Sequence, residues 1–305
     1  MKKAAVEAID AFLRPSSREL ASCLAAPRDE PPAWIPKCLS GNMGRDHGFL
    51  LFTPDERQIV LDKEPDLEPC FRLCVGAYEH LRDIERWCLW TRGMDLDIQA
   101  SPFLMDVDRR LTAWRLSQKG TTKQYAAKRL RFAQETQPDG IAWIAIPAVF
   151  STAYSCIAAS IYPPETASLN SLLCVHSGDL AVLGILLSQA HFNWLTGFGS
   201  RMQVDCRYSC QWTYNSFPWP SPAALAATRN DLEAAVQGIL DARREMGKPL
   251  SAICKKMPER LQEAHKRLDE IVDGVYGLPA GREKRLSVLY KKAKQPRLGT
   301  IESFF

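Results

Sequence analysis

The chain has 305 residues, 46% hydrophobic and 24% charged, enough to bury a substantial core and divide into two units, which excludes a disordered tail protein. Its longest apolar stretch, residues 180–187, falls short of the roughly 18 to 20 residues that span a bilayer, and no charged-then-apolar leader opens the sequence; no membrane and a cytoplasmic location are expected. The net charge is only +4, but residues 101–135 carry Arg109, Arg110, Arg115, Lys119, Lys123, Lys128, Arg129 and Arg131 against Asp106, Asp108 and Glu135, a local surplus of five.

Along the chain, residues 4–13 predict a short helix with a weak second one behind it, and the Pro-rich stretch 27–36 reads as an extended linker. From there to residue 220 the signals alternate. Short apolar, β-branched or aromatic runs at 49–52, 85–91, 141–150, 155–162 and 171–176 predict strands, and helical patterns fall at 54–61, 101–116 and 179–195, giving an α+β class. After Pro220 only helices follow. Ser221-Pro222 caps one whose face is Leu232, Val236, Ile239 and Leu240; a second starts at Pro258, carries Leu261, Leu268, Ile271, Val272 and Val275, and stops at Gly277; a third covers 283–292. The expected organisation is an N-terminal segment and linker over 1–33, a mixed α/β unit over 34–220, a small all-helical region over 221–293 and a tail over 294–305.

Ten cysteines scattered among apolar neighbours read as small buried hydrophobes of a reducing compartment. The pairs Cys70/Cys74 and Cys206/Cys210 lack zinc-ribbon spacing and a completing histidine, so no metal is expected. Residues 202–215 alternate with period two. In one strand, Met202, Val204, Cys206, Tyr208, Cys210, Trp212 and Tyr214 would share one face, and Gln203, Asp205, Arg207, Ser209, Gln211, Thr213 and Asn215 the other. Such a polar face has the donors and acceptors that read base edges, although the solvated face of an antiparallel sheet gives the same pattern. The basic segment admits two readings as well, a set of phosphate contacts or a solvated helix surface. In Gly41-Asn42-Met43-Gly44-Arg45-Asp46-His47-Gly48, exposed amides and Arg45 could hold a phosphate, or the glycines could serve a tight turn.

Catalytic patterns are missing from the sequence. The two Pro-Pro pairs follow Glu30 and Tyr162, so no Asn/Asp-Pro-Pro-aromatic motif for amino-group methylation is present. Gly197-Phe198-Gly199 follows a predicted helix rather than the strand that a cofactor fingerprint requires. No lysine has an acidic residue two positions before it, as a common restriction nuclease centre needs, and His47, His176 and His191 lack a matching nucleophile.

Four blocks carry a family likeness in order and spacing: Ser40 to Phe52, Ile84-Glu85-Arg86-Trp87-Cys88-Leu89-Trp90, Trp143-Ile144-Ala145-Ile146-Pro147, and Arg207-Tyr208-Ser209 with Tyr214-Asn215-Ser216-Phe217-Pro218-Trp219-Pro220. They resemble MmeI-like (type IIL) restriction–modification enzymes over residues 34–292, in the target-recognition domain and helical C-terminal region. The resemblance implies double-stranded DNA as partner, with base-reading residues at Arg201, Gln203 and Asp205, to which the polar face adds Arg207, Ser209 and Gln211. Backbone contacts are expected from Arg45, Arg109, Arg110, Lys119, Lys123 and Arg129. S-adenosylmethionine is expected on a methyltransferase domain not present in these residues, and no cofactor on this chain. Gly44 stands where the family usually has proline, His47 where glycine is common, and Cys210-Gln211 in place of an Asn-containing pair. Three roles fit these features: a recognition module, an obligate subunit of a split adenine methyltransferase working with a separate methyltransferase or nuclease polypeptide, or a remnant without function. In the tail, Ile301, Phe304 and Phe305 have the spacing of a sliding-clamp peptide, with Leu298 at the glutamine position; folding back onto the chain's own helices is the competing expectation.

Overall fold

A computed structural model describes residues 26–294, apart from the side chain of Arg201, together with two short strands before them. These are β1 (Ala8–Ile9) and β2 (Pro15–Ser16), an antiparallel pair where a helix over 4–13 was expected; the remainder of that stretch and the tail bearing Ile301, Phe304 and Phe305 lie outside the described residues. Further strands are β3 (Cys38–Ser40), β4 (Leu51–Phe52), β5 (Phe71–Val75), β6 (Trp87–Leu89), β7 (Trp143–Pro147), β8 (Val149–Phe150), β9 (Ser160–Tyr162), β10 (Ala167–Ser168), β11 (Leu172–Val175), β12 (Ser200–Met202) and β13 (Asp205–Arg207). The helices are α1 (Pro54–Leu61), α2 (Ala77–Arg82), α3 (Pro102–Ser117), α4 (Thr121–Gln124), α5 (Leu180–Leu187), α6 (Gln189–Phe198), α7 (Pro222–Met246), α8 (Leu250–Lys255), α9 (Glu259–Tyr276) and α10 (Arg282–Lys294).

Local chemistry sets many of these boundaries. Thr53 and Glu56 form a reciprocal capping box at α1, Ser101 and Ser221 cap α3 and α7 with proline at the first helical position, and Gly247 and Gly277 end α7 and α9 in the left-handed region. The helix expected over 179–195 is broken in two. Ser188, extended at φ −70 and ψ 153, ends α5 by donating to Ile185 O at 2.7 Å and starts α6 by accepting from His191 N at 3.3 Å. A serine hydroxyl can serve one orphaned group at each of the two helix ends, which favours the bend at this residue.

The central sheet has the order β3-β11-β7-β9, all antiparallel, with Leu173 opposite Ile146 and Cys174 opposite Ala145. Both its faces are covered, which explains the unbroken apolar run Trp143-Ile144-Ala145-Ile146. Ile144, Ile146, Leu173 and Val175 face the helices, whereas Trp143, Ala145, Leu172 and Cys174 meet Val75, Ala77 and Tyr162 on the other side. A second sheet, β10-β5-β6-β4, packs with Leu104, Val107 and Leu111 of α3 around a separate core. The helical region does not stand alone. Leu232, Val236 and Ile239 of α7 and Leu261, Leu268 and Val272 of α9 share one core with α5, α6 and the central sheet. Each of these six is fully buried and contributes roughly 2 kcal/mol of transfer free energy. Gly184 of α5 is the close approach: a Cβ there would sit 3.0 Å from Val236 Cγ2.

Candidate nucleic-acid interface

The expected continuous strand over 202–215 is replaced by three conformations. β12 turns back on β13, with Ser200 opposite Arg207 and Met202 opposite Asp205, so residues 203 and 204 form the tip. β13 continues onto β8 through Cys206–Phe150 and Arg207–Val149, making a three-stranded sheet. The chain then winds into a π-helical turn, Cys210–Tyr214, capped by Ser209. Tertiary packing overrides the alternation. Thr213 and Asn215, expected on the polar face, are buried, and Asn215 Nδ2 donates to the carbonyls of Arg28 and Asp29 at 3.0 and 2.9 Å, while Met202 and Val204 of the apolar set are exposed.

Gln203, at φ +56, and Arg207 are exposed and have no side-chain partner among the described residues. The left-handed backbone at Gln203 costs of order 1 kcal/mol. Asp205 is half-buried and its carboxylate accepts from Thr152 N at 3.1 Å. Ser209 serves the helix cap, and Gln211 donates to Asp29 Oδ1 at 2.8 Å. Arg201 has its backbone in β12, and its side chain lies outside the described residues.

The hairpin is fixed from beneath by two residues that no base-reading pattern singled out. Tyr208, next to Arg207, places its hydroxyl 2.7 Å from His191 Nε2, and both side chains are buried. His191 meets Phe217 edge-on at 4.4 Å and Trp219 at 5.9 Å, so the Arg-Tyr-Ser and Phe-Pro-Trp blocks converge on one ring. Burial alone lowers the His191 pKa to about 3, and it pushes Tyr208 far up. The imidazole is therefore neutral and structural.

The basic segment divides into inward and outward charges. Arg115 is completely buried: Nε donates to Arg45 O, Nη1 to Tyr125 O and Lys128 O, and Nη2 to Gly44 O and Arg131 O, at 2.7 to 3.1 Å. All five donors of its fork are used. The sequence held the signal, since Arg115 follows Leu104, Val107 and Leu111 on the buried stripe of α3. Arg109 and Arg110 share Asp106 at 2.5 and 2.9 Å, and Arg129 binds Asp108 at 2.5 Å. Lys119 and Lys123 are exposed and make no ion pair among the described residues. Arg45, exposed at φ +42, donates to Thr122 Oγ1 at 2.8 Å, which joins the glycine-rich loop to the basic segment.

The glycine-rich loop is tied inward. The amides of Gly41, Asn42 and Met43 donate to Leu172 O, Ser168 O and Gln134 O, and Asp46 Oδ2 accepts from Leu50 N at 3.0 Å. Asp46 Oδ1 occupies the space a Cβ at Gly44 would need, and Asn42 Oδ1 accepts from Thr136 N and Gln137 N. These three amides are therefore not available as a phosphate nest. Gly197 and Gly199 likewise do not fit a cofactor cradle. They close α6 ahead of a strand, and Leu286 of α10 fills the space beside Gly197, 2.8 Å from where its Cβ would stand.

The family models for "MmeI, target recognition domain" and "MmeI, C-terminal domain" match residues 20–221 and 225–298. This chain belongs to the MmeI family. A curated relative, DNA methyltransferase A of Bacillus subtilis (strain 168), is 31% identical over 279 residues, which are 88% of this chain and 31% of that protein. The solved type IIL restriction-modification enzyme MmeI, in complex with DNA, superimposes with a TM-score of 0.86 at 29% identity, covering 94% of this chain and 38% of that one. The chain thus spans about a third of the length of these two proteins it matches. No helix among its described residues is long and apolar enough to cross a membrane.

Proposed function

We propose that this chain is the sequence-specific, double-stranded-DNA recognition module of a cytoplasmic restriction–modification system, positioning a methyltransferase or nuclease carried by other residues. The observation that carries the reading is the β12–β13 hairpin. It presents exposed Gln203 and Arg207 from a buried Tyr208–His191 footing, within a match over 94% of the chain to an enzyme solved with DNA. Arg pairs with guanine O6/N7 and Gln with adenine N6/N7 in the major groove. Arg201, Asp205, Ser209 and Gln211 complete the proposed base-reading set; Gln211 has to release Asp29 to reach a base, whereas Gln203 has nothing to release. S-adenosylmethionine belongs with the methyltransferase part. A second reading is an obligate subunit of a split methyltransferase; methyl transfer to DNA only after mixing with a separate catalytic polypeptide would distinguish it.

Gln203→Ala is expected to relax the base preference at one position of the target by about 1 to 3 kcal/mol, read as relative affinities over a randomised duplex library. Equal weakening on every sequence would assign Gln203 to the backbone and sink the base-reading role.

The backbone is assigned to Arg45, Arg109, Arg110, Lys119, Lys123 and Arg129, six cations against two engaged carboxylates. Lys119→Ala with Lys123→Ala should weaken binding to all sequences alike and lower the slope of log affinity against log salt by about 0.9 for each phosphate no longer neutralised. Arg109 and Arg110 variants should lower it less, since Asp106 already neutralises part of their charge. An unchanged slope in the double lysine variant would make this face a solvated surface.

A further inference from the structure

Away from the hairpin, the loop after β8 meets α8 at a buried polar centre that DNA recognition does not use. Cys156 and Cys254 bring their sulfurs to 3.4 Å, and the backbones are joined beside them, with Ser155 N and Oγ both donating to Cys254 O at 3.0 and 3.1 Å. Arg243 of α7 approaches the same centre. Its Nη1 donates to Ala159 O at 2.8 Å, but Nε and Nη2 are buried with no hydrogen-bond partner, and no carboxylate pairs with it among the described residues. A buried guanidinium without a counter-charge is costly, and the groups able to become anionic whose charge acts on Arg243 are the two thiols. We infer that Cys156 and Cys254 are an oxidisable pair, with Arg243 as the resident cation beside them and a small peroxide as co-reactant.

Other features agree with this assignment. The hydrogen bond from Cys254, helped by the charge of Arg243 and opposed by burial and by Asp269, draws the Cys156 thiol below its ordinary range, while the same bond and burial push Cys254 up. Ser155 and Lys255, each next in the chain to one of the buried cysteines, line with Lys256 a cleft of about 950 Å³, and this is the side from which a small oxidant would reach the pair. Cys38 and Cys210, whose sulfurs lie 3.8 Å apart, have no arginine acting on them and serve as the internal control.

The chemistry balances with hydrogen peroxide. The Cys156 thiolate attacks one peroxide oxygen, an S–O bond forms as the O–O bond breaks, and the departing hydroxide takes the Cys254 proton to become water. The Cys254 thiolate then attacks the sulfenic sulfur, forming the S–S bond and expelling hydroxide, which takes up the proton released when Cys156 ionised. Two thiols are oxidised by two electrons in total, and one peroxide becomes two waters. The disulfide joins the loop of the recognition part to the helical part across 98 residues of chain.

The test treats the reduced, desalted full chain with hydrogen peroxide, blocks the remaining thiols and maps an unreduced digest by mass spectrometry. A Cys156–Cys254 peptide pair should form before any other and vanish with dithiothreitol, and Arg243→Gln should slow it several-fold while circular dichroism stays unchanged. If Arg243→Gln does not fold, Cys254→Ser takes its place: it should leave Cys156 as a sulfenic acid trapped by dimedone, whereas Cys156→Ser should leave Cys254 a free thiol at the same dose. Linking of Cys38 to Cys210 first, or no dimedone adduct on Cys156 in Cys254→Ser, overturns the inference.

Discussion

Arg115→Met should lower the stability of the chain by about 3–5 kcal/mol, the scale for breaking a buried charged network from one side. The substitution keeps much of the side-chain volume and removes the charge with all five donors. Gly44 O retains the amide of Ala133 and Tyr125 O that of Lys128, so the loss falls mainly on the carbonyls of Arg45, Lys128 and Arg131. An unsatisfied buried acceptor costs about 1–3 kcal/mol. Asp46 would also lose the cation whose field opposes the upward push of burial on its carboxyl. Arg115→Lys, with a charge but only three donors, should fall between the two. Urea unfolding followed by tryptophan fluorescence is the measurement. A loss under about 1 kcal/mol in Arg115→Met, within the range of ordinary surface substitutions, would show that the loops hold their shape without it.

The second large effect is acid sensitivity. Burial lowers the pKa of His191 and of His265 to about 3 and that of His80 to about 4, against roughly 6.5 in an unfolded chain. Between these values the unfolded state binds more protons, so stability is complete above pH 6.5 and is lost as pH falls towards the folded-state pKa. From pH 7 to pH 5 each histidine withdraws about 2 kcal/mol. Asp269 works in the other direction. Burial raises its carboxyl to about 6, so its folded form takes up a proton first and returns about 1 kcal/mol over the same interval. The net loss should be roughly 4–5 kcal/mol, visible as a marked fall in the urea midpoint at pH 5. His191→Phe should flatten the pH dependence by one histidine's share, whatever it does to the midpoint at pH 7. A midpoint that does not move between pH 7 and pH 5 would contradict the neutral, buried state of these rings.

Where the sequence carried short-range stereochemistry, the fold was readable from it. Thr53-Pro54, Ser101-Pro102, Ser221-Pro222 and Gly277 mark helix ends to within a residue, because capping is settled by neighbouring atoms. The family blocks were readable too, and the family models match the regions they indicated. What depends on distant partners was not readable. The run 179–195 gives no sign that Ser188 divides it, since a serine also occurs inside helices. The alternation over 202–215 predicts one strand, yet Asn215 is drawn inward by Arg28 and Asp29, more than 180 residues earlier. Arg115 at the proposed interface stands between the two cases: its burial was legible from the apolar stripe of α3, but the carbonyls it ties together were not, and counting it with the surface charges missed an interior tie.

The hairpin also bears on how such a protein changes over generations. Its tip residues, Gln203 and Val204, touch little of the protein, whereas Cys206 and Tyr208, a few positions away, are anchored in the core. Exchanges at the tip therefore draw on almost none of the folding free energy, while exchanges at the footing draw on much of it. Mutations can wander through many side chains at 204 and 207, and through unbranched ones at 203, with the scaffold intact, so that under the proposed base-reading role a lineage can drift from one molecular preference to another without passing through an unfolded intermediate genotype.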